Sequence, residues 1–215
     1  RNLKNFPEKL KYKIQIISPL VKKSFYEKRQ IKTENKAFCI LVIGGSQGAK
    51  IFDNVVKNVI VNMSKKNKIK IIQQTHKSNT DNLKNIYDEA EIENTIFDFE
   101  ENLIDLINQS DLCITRSGAS TLAELSIMNK PFLTIPLVSA KDNHQFENAN
   151  FYQNLGCCWI MSQKDFNEVN LEKFLNHIIM NKSEYNIKKN NLEKHNFQNS
   201  WNNINQKILE TINEN

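Results

Sequence analysis

Glycine is scarce in this chain of 215 residues, and three of its five copies fall in Gly44-Gly45-Ser46-Gln47-Gly48. A sequence that spends glycine so unevenly needs backbone freedom there, for a turn that lets a ligand come close. The apolar run Phe38 to Ile43 precedes this turn, and Ile51, Phe52, Val55, Val56, Val59 and Ile60 follow it at helical spacing. A glycine turn that opens a helix offers free N–H groups and the positive end of the helix dipole, and both favour an anion such as phosphate. Two familiar phosphate loops do not fit. A Walker loop needs Gly-Lys followed by Ser or Thr, and here Gly48 is followed by Ala49 and Lys50. A dinucleotide fingerprint needs G-x-G-x-x-G and an acid ending the second strand. Position 46 is Ser, and that strand ends in Gln73-Gln74-Thr75, so NAD is disfavoured.

A second loop, Arg116-Ser117-Gly118-Ala119-Ser120-Thr121-Leu122-Ala123-Glu124, also opens a helix with small and hydroxyl residues. Glu124 lies about one and a half turns in. It is either an ordinary helix carboxylate or an acceptor for neutral sugar hydroxyls. A third loop, after Pro136, holds Lys141-Asp142-Asn143-His144-Gln145. Amides and imidazole suit sugar hydroxyls, which both donate and accept, although a polar surface loop reads the same way. His144 has only Asp142 nearby as a partner for general-base work, and His76 reads as structural. No D-x-D occurs to hold a divalent ion on a diphosphate, so no metal is implied. Helix termini can supply the positive potential instead.

The elements that would position these loops alternate. Strands are expected at Phe38–Ile43, Ile69–Ile72, Thr95–Phe99, Asp111–Thr115, Pro131–Ile135 and Cys157–Met161. Helices are expected from position 51, over 79–90, from Glu101, over Ala119–Met128 and over 143–154, with two further apolar stripes at Leu171–Ile179 and Trp201–Ile212. Regular βα alternation with short connections specifies an α/β fold, a Rossmann-like doubly wound parallel sheet with helices on both faces. In such a sheet ligands bind beyond the carboxyl ends of the strands, where all three loops lie. Residues 1–36 lack the rhythm, and Ile14–Ile17 reads as one more strand, stopped by Pro19.

Composition is globular, with 40% hydrophobic and 25% charged residues. The longest apolar run is far short of the roughly 20 residues that span a bilayer. The chain starts at Arg1 in a charged stretch without a signal-peptide core, and reads as a piece of a longer or processed chain. The first 36 residues carry eleven Lys or Arg against three Glu, while the other 179 carry eighteen against twenty-one acids. That local basicity fits a solvated linker or contact with an anionic membrane surface, and nothing points to nucleic acid. The four cysteines are expected to be buried, reduced thiols. The 32 Asn are scattered, a bias of composition rather than a prion-like tract.

Taken in order, Leu41-Val42-Ile43-Gly44-Gly45-Ser46-Gln47-Gly48-Ala49, then Arg116-Ser117-Gly118-Ala119 with Thr121 and Glu124, then Asp142, Gln145, Asn148 and Ala149 resemble the carboxyl-terminal domain of the MurG family. These are the peptidoglycan glycosyltransferases of the two-domain GT-B fold, and the similarity runs from about residue 37 to 162. The resemblance implies an inverting hexosyltransferase without cofactor that moves GlcNAc from UDP-GlcNAc to undecaprenyl-linked muropeptide. It implies a peripheral enzyme at the cytoplasmic face of the bacterial inner membrane, serving cell wall biogenesis, cell shape and division. By position, Ser46 would contact the diphosphate, and Ala119, Ser120, Thr121, Leu122, Ala123 and Glu124 would line the nucleotide, with Glu124 on the ribose. Gln145 would hold GlcNAc hydroxyls, and the backbone of Glu100 would meet uracil, where the family usually has an aliphatic residue. The family's Asn-Pro-x-Arg is replaced by Ser18-Pro19-Leu20-Val21, followed by Lys22 and Lys23. Residues 1–36 then read as an interdomain link and remnant of the amino-terminal, acceptor-binding domain, and 37–215 as the UDP-sugar-binding domain. No catalytic base is expected within this chain. A UDP-sugar hydrolase or epimerase of the same architecture, and a non-catalytic donor-binding subunit, are the alternatives.

Overall fold

The computed structural model describes residues 7–14, 20–27, 37–45, 50–138, 143–198 and 201–213. The expected strand at Ile14–Ile17 lies largely outside them. After α1 (Lys23–Glu27), the chain alternates β1 (Phe38–Ile43), α2 (Lys50–Ser64), β2 (Ile69–Gln74), α3 (Thr80–Glu89), β3 (Glu93–Phe97), α4 (Leu103–Gln109), β4 (Leu112–Thr115), α5 (Ala119–Ile127), β5 (Phe132–Thr134), α6 (His144–Asn154) and β6 (Cys158–Ile160). It ends in the helices α7 (Glu168–Met180), α8 (Lys182–Gln198) and α9 (Trp201–Asn213). None of the described helices is long and apolar enough to cross a membrane.

The six strands pair in parallel, in the order β3-β2-β1-β4-β5-β6. This is the doubly wound arrangement, and its order reverses between β1 and β4, where such sheets open a crevice at their carboxyl ends. At that edge Ile43 stands directly opposite Thr115.

Side chains alternate between two cores, as a pleated strand requires. Ile40, Val42, Ile71, Ile114 and Leu133 face α2, α3 and α7, meeting Phe52, Val56, Leu83, Tyr87, Leu171 and Leu175. Cys39, Leu41, Ile43, Ile72, Cys113 and Phe132 face the other way, toward Ile107, Leu122, Leu125, Tyr152 and Leu192. Each buried Ile, Leu, Val or Phe among them contributes about 1.5–3 kcal/mol by leaving water. The four cysteines are free and buried. Phe25 of α1 is buried in the second core, and the Tyr26 ring meets that of Trp201 of α9 at a tilt, with centroids 5.4 Å apart, so part of the first 36 residues is built onto the body.

One strand lies two residues earlier than its sequence pattern indicates. The pairing covers Glu93–Phe97 rather than Thr95–Phe99. As an edge strand half open to solvent, β3 admits the polar pair Glu93 and Asn94, and Glu93 ion-pairs with Lys70 at 2.7 Å. Phe99 thereby leaves the sheet and is 72% exposed.

Several asparagines hold specific posts. Asn129 adopts φ 51° just past α5, where Asn129 N–H bonds Ser126 O at 2.9 Å and Lys130 N–H bonds Leu125 O at 3.0 Å. That is a Schellman stop, which calls for a residue tolerant of the left-handed region. Asn196 of α8 donates to Ser126 O and Asn129 Oδ1, binding α8 to the end of α5.

Candidate functional site

The first loop leaves β1 at Ile43. Gly45 has φ +80°, a conformation that L side chains rarely adopt, and a Cβ built there would meet nothing within 4 Å. The requirement at Gly45 is therefore conformational rather than steric. Ser46, Gln47, Gly48 and Ala49 lie outside the described residues, so the expected diphosphate contact of Ser46 does too. On the near side the Gly45 N–H donates to Gln74 Oε1 at 3.2 Å, and Gln74 Nε2 donates to Asp98 O at 3.1 Å.

The start of α2 is fixed by a polar cluster. Asp53 accepts from Gln73 Nε2 at 3.1 Å, Thr75 Oγ1 at 2.7 Å and Asn79 Nδ2 at 3.2 Å. Tyr87 O–H then donates to Gln73 Oε1 at 2.8 Å. Gln73, Thr75 and Tyr87 are buried. A carboxylate in the first turn also suits the helix dipole. Sequence reasoning missed this cluster. The three donors to Asp53 are ordinary polar types 20 to 26 positions from it, and only the α2–β2–α3 packing brings them together.

The second loop leaves β4 beside the first. Arg116 Nη1 donates to Ile135 O at 3.0 Å, and its guanidinium sits 5.2 Å from the centre of the Phe52 ring. Ser117 is fully buried. Its hydroxyl pairs with Thr134 Oγ1 at 2.6 Å, its carbonyl accepts from Asn148 Nδ2 at 3.0 Å, and its N–H donates to Gln145 Oε1 at 3.3 Å. Gly118 caps α5 without a side-chain bond, and the first intrahelical donor is Leu122, to Gly118 O at 3.0 Å. The N–H groups of Ala119, Ser120 and Thr121 have no acceptor within the helix, the arrangement that receives an anion.

The expected nucleotide-lining residues divide by helical period. Ala119 and Ser120 are exposed and Thr121 and Glu124 are half-buried, whereas Leu122 and Ala123 turn into the core. Any ligand contact from Leu122 or Ala123 is through backbone.

Glu124 faces a groove of about 770 Å³ that Lys22, Phe25, Phe99, Glu100 and Leu103 also line. Glu100 and Glu124, chosen from sequence for one ligand, thus share one cavity. Burial pushes the Glu124 carboxyl above its usual range, with Lys22 pulling it back. The Glu100 carboxylate accepts the Asn102 N–H at 2.8 Å, so it closes the turn into α4. Phe99 supplies an exposed aromatic face that sequence reasoning had placed within a strand.

From the third loop, Asp142 and Lys141 lie outside the described residues. His144 begins α6 and is exposed. Gln145 is half-buried, and its Oε1 also accepts the Leu137 N–H at 3.0 Å, so one oxygen joins the loops after β4 and β5. Any contact from Gln145 to a ligand comes from its amide nitrogen.

Known proteins share this architecture and sequence. Residues 39–204 match the glycosyltransferase family 28 C-terminal domain. The UDP-N-acetylglucosamine--N-acetylmuramyl-(pentapeptide) pyrophosphoryl-undecaprenol N-acetylglucosamine transferase of Pelagibacter ubique is 50% identical over 214 residues, covering 100% of this chain and 60% of the relative. The transferase of the same name from Rickettsia bellii is 33% identical, covering 84% of this chain and 53% of the relative. The chain therefore spans about half to 60% of these relatives' lengths. Among solved structures, Acinetobacter baumannii MurG has a TM-score of 0.65 at 22% identity, covering 79% of this chain and 48% of that one. A UDP-GlcNAc 2-epimerase from Neisseria meningitidis, bound to UDP-GlcNAc, has a TM-score of 0.58 at 17% identity, covering 85% and 46%. These two likenesses concern the fold. With its sequence matched from the first strand to the last helix, the chain belongs to glycosyltransferase family 28, of which it carries the C-terminal domain.

Proposed function

We propose that this chain binds UDP-GlcNAc as the donor-binding part of an inverting transferase that glycosylates undecaprenyl-linked muropeptide, the lipid I to lipid II step of peptidoglycan synthesis. One observation carries the reading. The two helix-opening loops leave the sheet from the directly paired residues Ile43 and Thr115, at the point where the strand order reverses. Two N-terminal helix ends side by side can neutralise a diphosphate and stabilise the leaving UDP as the glycosidic bond breaks.

The groove beside α5 suits the nucleoside. Glu124 would accept from ribose hydroxyls, the backbone at Glu100 would meet the base, and Ser46 would touch the diphosphate. The Gln145 amide nitrogen would donate to a sugar hydroxyl. The names of the relatives support this donor and a lipid-linked acceptor. No acceptor site or catalytic base is assigned among the described residues. The basic first 36 residues support contact with an anionic membrane surface, in keeping with a peripheral enzyme on the cytoplasmic face of the inner membrane.

Calorimetry with UDP-GlcNAc tests the reading. The folded chain should bind, and Glu124→Ala and Ser46→Ala should each weaken binding about tenfold or more, the loss of one charge-assisted or phosphate hydrogen bond. A folded chain without affinity for UDP-GlcNAc overturns it. Release of UDP in the absence of any lipid acceptor would instead favour a hydrolase or epimerase.

A further inference from the structure

The geometry points to Gln74 as a positioning residue that sets the phosphate end and the base end of the nucleotide site in register. This rests on the donor-binding reading above. Gln74 is the last residue of β2, the strand flanked by β1 and β3. Its side chain reaches both ways across the strand ends, taking the Gly45 N–H with Oε1 at 3.2 Å and giving Nε2 to the Asp98 carbonyl at 3.1 Å. Both partners are backbone, and each can play only one role. An N–H only donates and a carbonyl only accepts, so the amide has one permitted orientation.

Among the described residues, the backbone bond from Thr75 N–H to Phe97 O at 2.8 Å ties β2 to β3 beside Asp98, and Gln74 is the side chain that joins Gly45 to Asp98. Gly45 has no side chain, and the space around its α-carbon is open. The chain from Asp98 to Asn102 bends on local contacts. Phe99 N–H donates to Asp98 Oδ1 at 2.8 Å, and Asn102 N–H donates to Glu100 Oε1 at 2.8 Å. That stretch carries Phe99 and Glu100 into the groove, while Gly45 follows β1 on the way to α2. One side chain thus links the loop proposed for phosphate with the loop proposed for the base.

A ligand that occupies both ends gains from having them prealigned, and a ligand that occupies one end does not. A nucleoside diphosphate sugar and its free nucleoside therefore separate positioning from general stability. The chemistry of the amide gives a second handle. Gln74→Met keeps the length and removes both bonds. Gln74→Glu keeps the acceptor but, when ionised, sets a carboxylate against the Asp98 carbonyl. Once protonated it regains a donor and resembles the amide.

The experiment measures UDP-GlcNAc by calorimetry and uridine by ligand-observed NMR on the full chain, for wild type and both variants, with thermal unfolding alongside. Both variants should lose about tenfold or more in UDP-GlcNAc affinity at pH 8, with uridine affinity within about twofold of wild type. Relative to wild type at the same pH, Gln74→Glu should recover UDP-GlcNAc affinity at pH 4, where an ordinary glutamate is mostly protonated, and Gln74→Met should not. UDP-GlcNAc affinity unchanged in both variants, equal losses for the two ligands, or no recovery of Gln74→Glu at pH 4 would each overturn the inference. A wild-type chain that binds neither ligand overturns the donor-binding reading itself, which is a different result.

Discussion

Gln145 Oε1 accepts the backbone N–H of Ser117 at 3.3 Å, across 28 positions of sequence, from the first turn of α6 to the loop after β4. The same oxygen takes Leu137 N–H at 3.0 Å. The structural role and the proposed ligand role therefore fall on opposite atoms of one amide, and two substitutions separate them. Gln145→Ala leaves the buried Ser117 N–H without an acceptor and should cost about 1–3 kcal/mol, a Tm loss of roughly 2–10 °C for a domain of this size. Gln145→Glu keeps an acceptor for both N–H groups and should unfold within about 2 °C of wild type, yet bind UDP-GlcNAc more weakly because the donor nitrogen is gone. Calorimetric scans and titrations on the two variants check both halves.

Glu124 should make donor binding depend on pH, with its transition displaced upward from the ordinary glutamate range. Burial raises its carboxyl above the ordinary value, and Lys22 opposes the rise. Only the ionised carboxylate accepts from two ribose hydroxyls at once. Affinity for UDP-GlcNAc is then full above the raised pKa and falls as pH drops through it, starting at higher pH than an unperturbed glutamate would show. Glu124→Gln should bind more weakly at pH 8 and lack that inflection. Titrations between pH 4.5 and pH 8 on both proteins test the sign.

Much of the sheet was legible in the sequence because its signals are local. Six consecutive apolar residues before a glycine cluster specify a covered strand and a turn whatever the rest of the chain does. The neighbouring placement of the first two loops was legible too, since the strand order of a doubly wound sheet brings them together. The register of β3 was not, because an edge strand can start on Glu93 and Asn94 without burying them. Nor was the Asp53 cluster, or the use of Gln145 as a brace. Gln, Asn and Thr look alike in a loop and in a buried network, and only tertiary packing decides which atom meets which partner.

Asp53 should matter more to stability than its place on a polar helix face indicates. It is the common acceptor for Gln73, Thr75 and Asn79. Asp53→Ala leaves buried donors on Gln73 and Thr75 unpaired, at about 1–3 kcal/mol each before relaxation. Equilibrium urea unfolding should show a loss of about 2–4 kcal/mol. Tyr87→Phe removes one bond at the rim of the network, leaves Gln73 Oε1 as its orphan, and should lose about 1–2 kcal/mol. Because Asp53 and Tyr87 share Gln73, the double variant should fall short of the sum.

Lys130 caps the opposite edge of the sheet, and its titration should be visible in stability. Its Nζ donates to the carbonyls of Asn108 and Ser110 at 2.8 and 2.7 Å, at the end of α4. Desolvation lowers its pKa to about 8, against the attraction of Asp111 and with help from Lys189, while Cys39 favours the charged form slightly. The unfolded chain holds this proton up to the ordinary lysine value of 10.5. Between pH 8 and that value the unfolded state binds more protons than the folded one, so this group alone makes stability rise with pH across that window. Below pH 8 both states are charged and the burial penalty is constant. The buried thiols act in the opposite sense, since the Cys39 and Cys158 pKa values are raised to about 12 and stability falls as the unfolded thiols ionise. The Lys130 contribution is therefore read as a difference. The stability of wild type minus that of Lys130→Met should be flat from pH 6 to 7.5 and climb from pH 8 to 10, and a flat difference over the whole range would refute the assignment.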